Sequence, residues 1–140
     1  MIRKGLPKDL SEICAIERLS FRNPWTPGQL ASEMKYSCSL VEEEGGGIIG
    51  YLFFRVAADE MEVTNIAVSP QKRRQGVAGN LLRKAMEETR EHGAEKVFLD
   101  VRHTNSAARL LYESLGFRET GARKDYYGKG EDAIVMVREV

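Results

Sequence analysis

Apolar positions recur every three to four residues near the start of the chain, which predicts an amphipathic helix over residues 9–21. The residues on its apolar face are Leu10, Ile13, Cys14 and Phe21. Two prolines in the segment 23–28 end this pattern. Thr26 and Gln29 are spaced as a capping box, with Pro27 at the first helical position, which predicts a second helix here. Its core-facing residues would be Leu30 and Met34.

Strands are predicted in the middle of the chain. Apolar stretches at 39–43 and 48–56 flank the glycines 45–47, an arrangement that favours a hairpin. Residues 61–68 continue with a third strand, so these elements form an antiparallel meander.

Strands and helices alternate in the second half. A long helix is predicted after the loop 69–75, ending at Gly93. Its apolar face carries Ala78, Leu81, Leu82 and Ala85. The remaining elements are a strand over 96–102, a helix over 106–115 closed by Gly116, and strands near 117–126 and 133–138. This order predicts a single mixed α/β domain, residues 1–140, with helices on both faces of one sheet.

Composition excludes several classes of protein. The 140 residues suit one domain, and 42% hydrophobic with 30% charged residues is ordinary for a globular chain. The 21 basic and 21 acidic side chains cancel, so neither nucleic acid nor an anionic membrane is predicted as a direct partner. The two cysteines form no CxxC pair, which argues against a disulfide scaffold or a structural zinc site. The sequence has no signal peptide and no apolar run long enough to span a membrane, so it predicts a cytoplasmic protein. It does not indicate an oligomeric state.

The loop after the third strand holds the most informative motif. It carries three consecutive cations, Lys72, Arg73 and Arg74, and the small residues 76–79 then open a helix. Exposed amides and the positive end of a helix dipole favour a phosphate there. The alternative is a solvated basic loop before an ordinary helix. This loop contains neither the dinucleotide pattern GxGxxG nor the P-loop pattern GxxxxGK[ST].

The spacing Arg73-x-x-Gly76-x-Ala78 after an apolar strand is similar to the signature of the Gcn5-related N-acetyltransferase (GNAT) superfamily. The further segments that carry this resemblance are DVRHTN at 100–105, LYESLGF at 111–117, DYY at 125–127 and EDA at 131–133. The last two, with FRNPW at 21–25, resemble the bacterial ribosomal-protein-alanine N-acetyltransferases. The resemblance implies a mostly antiparallel sheet with splayed strands.

The resemblance also implies acetyl-CoA as co-substrate and no metal. The backbone of the strand before the loop would hold the pantetheine arm, and the amides after it would hold the pyrophosphate. The residues concerned are Ile66, Ala67 and Val68 for the arm, and Arg74, Gln75, Gly76, Val77, Ala78 and Gly79 for the pyrophosphate. The Val68 amide is in addition a candidate donor to the thioester oxygen. Asn105 matches a position that contacts the arm, and it could equally cap the helix that follows.

Two residues match catalytic positions of the family. Tyr112 matches the general acid that protonates the departing thiolate, although its place in an apolar helical stripe also fits simple packing. Asp100 stands where the most similar relatives have a glutamate base, and its shorter side chain suggests a water relay. It could instead be a structural aspartate paired with Arg102, and Glu62 is the alternative base.

Three functions follow from these residues. The resemblance implies acetylation of the N-terminal alanine of a small-subunit ribosomal protein. Acetylation of other protein amines or of a small-molecule amine is the second reading. A non-catalytic acyl-CoA-binding module is the third, and it would need the glycine loop but neither Asp100 nor Tyr112.

Overall fold

A computed structural model describes all residues, 1–140. The chain divides into two compact units: the first comprises Met1–Arg55 and Thr64–Glu88, the second Val56–Val63 and Thr89–Val140. In chain order the helices and strands are β1 (Ile2–Lys4), α1 (Leu10–Ser20), α2 (Pro27–Tyr36), β2 (Cys38–Glu44), β3 (Gly47–Ala57), β4 (Glu60–Val68), α3 (Val77–Glu91), β5 (Lys96–Arg102), α4 (Ser106–Ser114), β6 (Arg118–Arg123) and β7 (Ala133–Glu139).

The seven strands form one sheet in the order β1-β2-β3-β4-β5-β7-β6. The pairs β1–β2, β2–β3, β5–β7 and β6–β7 are antiparallel. β4 and β5 are parallel, and they pair at Glu60–Glu62 with Lys96–Phe98. The predicted mixed α/β fold with a mostly antiparallel sheet is confirmed.

In the first unit, helices cover both faces of the sheet. Gly50 of β3 faces α3, because a Cβ there would lie 2.8 Å from Cγ1 of Val77 and 3.4 Å from Cδ1 of Leu81. Its strand neighbour Tyr51 points to the opposite face. There it belongs to a buried cluster with residues of α1 and α2 such as Ile13 and Leu30. Gly50 thus allows α3 to approach the sheet closely.

The start of α2 is held by the predicted capping box. The Gln29 amide donates to Thr26 Oγ1 (3.1 Å), and the Thr26 amide donates to Gln29 Oε1 (2.8 Å). Leu30 is fully buried and Met34 packs against the same core from a half-buried position, as predicted.

In the second unit, β5 alternates as predicted. Val97, Leu99 and Val101 are buried, whereas their neighbours Asp100 and Arg102 are half-buried on the other face. This alternation brings the polar side chains of β5 to one side of the strand.

Two local features differ from the predictions. Phe21 was expected on the apolar face of the first helix, but α1 ends at Ser20 and Phe21 is extended and 37% exposed. The prediction was wrong because the backbone leaves the helix before the Pro24 turn, and the core-facing positions of α1 are filled by Ile16 and Glu17 instead. β1 was not predicted at all.

Candidate functional site

The β4–α3 turn, residues 69–76, is fixed to the end of β4 by hydrogen bonds. The Ser69 amide donates to a carbonyl of β3 at 2.8 Å. The Arg73 guanidinium donates from Nε to the Val68 carbonyl (3.1 Å) and from Nη2 to the Ser20 hydroxyl (3.1 Å). Arg73, the first residue of the R-x-x-G-x-A pattern, therefore holds the turn against β4 and the end of α1.

Two residues of this turn have a left-handed backbone, Arg74 with φ 61° and Gly76 with φ 81°. This conformation costs a residue with a side chain about 1–2 kcal/mol, and glycine adopts it freely. A Cβ built on Gly76 would meet no atom within 4 Å, so the backbone conformation and not lack of space favours glycine. Successive amides in such a turn form concave anion-binding sites.

The amides that follow are available to a ligand. None of the six amides from Arg74 to Gly79 donates a hydrogen bond of normal geometry to an acceptor of the chain. The first amide of α3 that does so belongs to Asn80, which donates to the Gly76 carbonyl at 2.9 Å. Gln75 and Gly76 are exposed, Ala78 is half-buried, and Val77 and Gly79 are buried. Free amides at a helix N-terminus suit a phosphate group.

The three cations of the turn have different roles. The Lys72 ammonium pairs with the Glu44 carboxylate at 2.7 Å. Arg73 is committed to Val68 and Ser20, as described above. Arg74 is exposed and makes no ion pair within the chain. Of these three cations, Arg74 is the one whose charged group has no partner within the chain and can face a phosphate.

The end of β4 directs its backbone groups alternately to two sides. The Ser69 amide bonds to β3, and the Ala67 carbonyl oxygen lies 3.3 Å from the ideal Cβ position of Gly50 on β3. Because successive residues of a strand point their backbone groups to opposite sides, those of Ile66 and Val68 face away from β3. Of the three residues predicted to hold a pantetheine arm, Ile66 and Val68 thus have the suitable direction, and Ala67 directs its carbonyl to β3.

In the second unit, Asp100 lies on β5 with its side chain 16% exposed. Its Oδ1 accepts a hydrogen bond from Arg123 Nε at 3.1 Å. The alternative interpretation of the sequence paired Asp100 with Arg102, but Arg102 bonds to Glu131 Oε2 at 2.8 Å. Asp100 is therefore an ion-paired carboxylate that retains access to solvent, and its partner comes from β6.

Two tyrosines and two arginines contact one another near the Asp100–Arg123 ion pair. The guanidinium of Arg123 lies 5.8 Å from the ring centre of Tyr126, and that of Arg102 lies 4.6 Å from the ring centre of Tyr127. The two rings meet edge to face at 5.0 Å. Burial, and then the negative charge of Asp100, raises the pKa of Tyr127 to about 12. Aromatic and cationic groups thus alternate beside the Asp100 carboxylate.

The segment that carries these tyrosines is ordered by two aspartates. The Asp125 amide donates to Asp132 Oδ1 at 2.9 Å, and the Gly130 amide donates to Asp125 Oδ1 at 2.7 Å. Asp125 itself has a left-handed backbone, φ 55°. These bonds explain the role of the acidic residues in the DYY and EDA segments.

Tyr112 lies on α4, 8% exposed, with its ring edge to face against Phe117 at 5.9 Å. Burial, and to a smaller extent the nearby Tyr127, raises the pKa of Tyr112 above its ordinary value. The phenol is therefore protonated at neutral pH, and its hydroxyl has no hydrogen-bond partner within the chain. Packing and proton donation are compatible, because the ring packs while the hydroxyl is unengaged.

Asn105 and Glu62 complete the set of predicted residues. Asn105 caps α4, since its Oδ1 accepts from the Ala108 amide at 3.1 Å. Its side-chain NH₂ bonds to no group of the chain, so it can still contact a ligand. Glu62 is exposed on β4 and contributes to the negative field that raises the pKa of Arg123, after the larger effects of Asp100.

Two residues were missed from the sequence. Arg123 offers no local signal, because its partner Asp100 is 23 residues away. Glu17 does have a local signal in the sequence. It follows Ile13 by four residues and Cys14 by three, so its carboxylate lies on the apolar face of α1. It is 2% exposed.

No helix of the chain is both long and apolar enough to cross a membrane. The structure contains no group of three or more histidine, cysteine, aspartate or glutamate side chains placed to hold a metal ion.

Comparison with known proteins identifies similar chains and similar structures. Residues 10–117 match the family described as the acetyltransferase (GNAT) family. The [ribosomal protein bS18]-alanine N-acetyltransferase of Escherichia coli (strain K12) is 35% identical over 133 residues, which cover 91% of this chain and 89% of that protein. An N-alpha-acetyltransferase of Sulfurisphaera tokodaii is 33% identical, over 96% of this chain and 90% of that protein. The crystal structure of the E. coli ribosomal-protein-S18-alanine N-acetyltransferase superposes with a TM-score of 0.90 at 32% identity, over 100% of this chain and 93% of that one.

Proposed function

The chain belongs to the acetyltransferase (GNAT) family, and from this premise we propose that it transfers the acetyl group of acetyl-CoA to the N-terminal alanine of ribosomal protein bS18. The observation that carries the acetyl-CoA part is the row of free amides from Arg74 to Gly79 at the start of α3. The alanine and its ribosomal protein come from the names of relatives that align over nearly the whole chain. A substrate that is itself a ribosomal protein would be met in the cytoplasm, which supports the cytoplasmic location predicted from the sequence.

The first unit would bind the cofactor portion of acetyl-CoA. The diphosphate would accept hydrogen bonds from the amides around Gly76, and the exposed Arg74 guanidinium adds the charge that a phosphate attracts. The amides of the pantetheine arm would pair with the backbone of Ile66 on the side away from β3. At Val68 the carbonyl already accepts from Arg73 Nε, which leaves its N–H for the ligand. The Val68 N–H would donate to the thioester oxygen, where negative charge grows as the amine attacks.

The second unit would supply the acid and the base. The amine nitrogen bonds to the thioester carbon as the carbon–sulfur bond breaks, without a covalent enzyme intermediate. The proton that the attacking nitrogen gives up passes through a water to Asp100, and the departing thiolate takes the proton of the Tyr112 hydroxyl. The proton on Asp100 then returns to the Tyr112 phenolate through solvent, which restores both groups. Burial raises the pKa of Tyr112, so the phenol stays protonated at neutral pH and holds the proton that the thiolate needs. Asn105 would hold the pantetheine arm with its free NH₂.

The ionisation of the acceptor favours an N-terminus over lysine. An α-amino group has a pKa of about 7.7–8.0 and a lysine about 10.4, so the N-terminal amine is neutral roughly 300 times more often at neutral pH. A carboxylate acting through water is a modest base and suits the amine that needs less help.

A panel of peptides that differ only in their first residue tests this function. Each peptide is incubated with acetyl-CoA and the protein, and acetylation is located by mass. We expect acetylation of the first residue, fastest for alanine, and none on an otherwise identical peptide whose N-terminus is blocked. Equal or faster modification of internal lysines in the blocked peptide would contradict the proposal.

A broader N-terminal acetyltransferase is the second candidate, because the S. tokodaii relative is named an N-alpha-acetyltransferase without a single substrate. The same panel separates the two. Similar rates for alanine, serine and methionine first residues would favour the broader activity, and a sharp preference for alanine favours the ribosomal protein.

A further inference from the structure

Two buried glutamates that the proposed chemistry does not use lie in the first unit, Glu33 on α2 and Glu17 on α1. Each accepts a hydrogen bond at 2.7 Å from a residue of β4. Glu33 Oε1 accepts from the Thr64 hydroxyl, and Glu17 Oε1 accepts from Asn65 Nδ2. Two helices therefore hold two successive residues of one strand.

Each glutamate has further donors on the chain. Glu33 Oε1 also accepts from the Ser37 hydroxyl, and its Oε2 pairs with Arg55 at 2.8 Å. Glu17 Oε1 also accepts from the Tyr51 hydroxyl. A buried carboxyl group is costly unless its oxygens accept hydrogen bonds, so each bond from β4 is strongly favoured.

The two bonds make β4 irregular. In a regular strand successive side chains point to opposite faces of the sheet. Asn65 and Ala67 follow this rule, since both lie toward α1 and α2. Thr64 should then point to the opposite face, but its hydroxyl reaches Glu33 on α2. Two neighbouring side chains turned to the same side bend a strand, as happens at a β-bulge.

This bend precedes the part of β4 that we assign to the pantetheine arm. The pairs of β4 with β5 end at Glu62, two residues before Thr64. Ile66, whose backbone faces away from β3, follows directly after Asn65. The end of the strand is fixed separately, because the Ser69 amide bonds to β3. The direction of the backbone at Ile66 therefore depends on the two residues before it.

We propose that Glu17 and Glu33 are positioning residues for acetyl-CoA. Through their bonds to β4 they keep the backbone of Ile66 in the direction in which it can pair with the pantetheine arm. This inference rests on the proposed acetyltransferase function. Loss of either bond should weaken binding of the arm and leave binding of the diphosphate at the β4–α3 turn unchanged.

The contacts of Glu33 provide a variant, a rescue and a control. Thr64→Val removes the donor on β4 with little change of shape, and Thr64→Ser keeps a hydroxyl at the same place. Ser37→Ala is the matched control, because it removes the other hydroxyl that donates to the same oxygen and leaves the bond to β4.

The contacts of Glu17 provide a second pair of variants. Asn65→Leu removes the donor on β4 and keeps a side chain of similar size. Tyr51→Phe is its control, because the Tyr51 hydroxyl donates to the same oxygen from β3. Both pairs thus compare a lost bond to β4 with a lost bond elsewhere on the same glutamate.

Calorimetric titration with two ligands separates the arm from the diphosphate. The ligands are acetyl-CoA and 3′-phospho-ADP, which is coenzyme A without its pantetheine arm. For Thr64→Val and Asn65→Leu we expect the acetyl-CoA Kd to rise about tenfold and the 3′-phospho-ADP Kd to stay within about twofold of wild type. Thr64→Ser should restore the wild-type Kd for acetyl-CoA. Ser37→Ala and Tyr51→Phe should lower the Tm and keep both Kd values.

Three results would overturn the inference: an unchanged acetyl-CoA Kd in Thr64→Val and Asn65→Leu, equal losses of affinity for the two ligands, or the same loss in Ser37→Ala and Tyr51→Phe. A wild-type protein that binds acetyl-CoA but acetylates no peptide of the panel would contradict the proposed function alone, and the Kd comparison would still decide this inference. A wild-type protein that binds no acetyl-CoA would contradict both.

Discussion

Arg123 and Asp100 form an ion pair across a strand that separates them in the sheet. Arg123 Nε on β6 donates to Asp100 Oδ1 on β5 at 3.1 Å, and β7 lies between these two strands. The hydrogen bond and the charge of Asp100 raise the pKa of Arg123. The orientation of the Asp100 carboxylate is thus set by a residue two strands away.

Arg123→Gln should lower kcat/KM for the alanine peptide about tenfold, because the carboxylate loses the donor that orients it. Arg118→Gln is the matched control: Arg118 lies on the same strand and pairs with the exposed Glu139 at 3.2 Å. Steady-state rates of both variants with the same peptide check this. A loss in Arg118→Gln as large as in Arg123→Gln would show that the effect is not specific to Asp100.

Asp100→Asn should reduce kcat by about 100-fold or more, the usual contribution of a general base. The substitution keeps an oxygen for Arg123 and removes the capacity to take a proton. Glu62→Gln should stay within about twofold of wild type, since we assign the base to Asp100. The opposite ranking of the two variants, measured at saturating acetyl-CoA, would make Glu62 the base.

Tyr112→Phe should lower kcat by about 100-fold and leave the acetyl-CoA Kd unchanged, because the phenyl ring still packs against Phe117. Calorimetric titration with acetyl-CoA and turnover of the peptide measure the two quantities separately. Unchanged turnover would remove Tyr112 as the acid. Binding of acetyl-CoA by the wild type with no turnover on any amine would favour an acyl-CoA-binding module instead.

Asp9 makes the stability of the fold dependent on pH. The Arg3 guanidinium donates to both of its oxygens at 2.8 Å, and these bonds hold the pKa of Asp9 below its ordinary value of 3.8, against the opposing effect of burial. Because the pKa of Asp9 is lower in the folded protein than in the unfolded chain, its carboxylate stabilises the fold at pH values above the pKa of the unfolded chain. This stabilisation is lost as the pH falls through the pKa of Asp9 in the folded protein. The free energy of unfolding should therefore decline as the pH falls from about 5 to about 2.

Asp9→Asn should be less stable than wild type at pH 7 and should show a shallower decline in acid, as measured by urea unfolding at a series of pH values. Asp59→Asn, at an exposed aspartate, is the control and should keep the wild-type slope. If Asp9→Asn also keeps that slope, the acid sensitivity comes from other carboxylates.

Local patterns predicted much of the fold. The capping box of Thr26 and Gln29 and the alternation along β5 depend on residues close in sequence, and both were read correctly. β1 has three residues and exists because Ile2 and Lys4 pair with Glu42 and Leu40 of β2, a relation that no local pattern reveals.

Some features of the candidate site could also be predicted from local sequence, whereas others depend on residues distant in the chain. The free amides around Gly76 follow from a glycine placed at the start of a helix, so their position could be predicted. The partner of Asp100 could not: strand alternation suggested Arg102, two residues away, and the sheet order brings Arg123 instead. The engagement of Arg73 with Val68 likewise depends on how the turn folds back.

Gly76→Ala tests the turn on which acetyl-CoA binding is proposed to depend. The left-handed backbone at φ 81° would cost alanine about 1 kcal/mol, so the variant should fold with a slightly lower Tm. The turn would relax away from the conformation that presents its amides, and the acetyl-CoA Kd, measured calorimetrically, should rise at least tenfold.

Gly45→Ala is the matched control, because Gly45 also has a left-handed backbone, with φ 61° in the β2–β3 hairpin, and a Cβ there also meets no atom within 4 Å. Gly45→Ala should lose similar stability and keep the wild-type Kd. Equal Kd values for the two variants would mean that the amides around Gly76 do not hold the diphosphate.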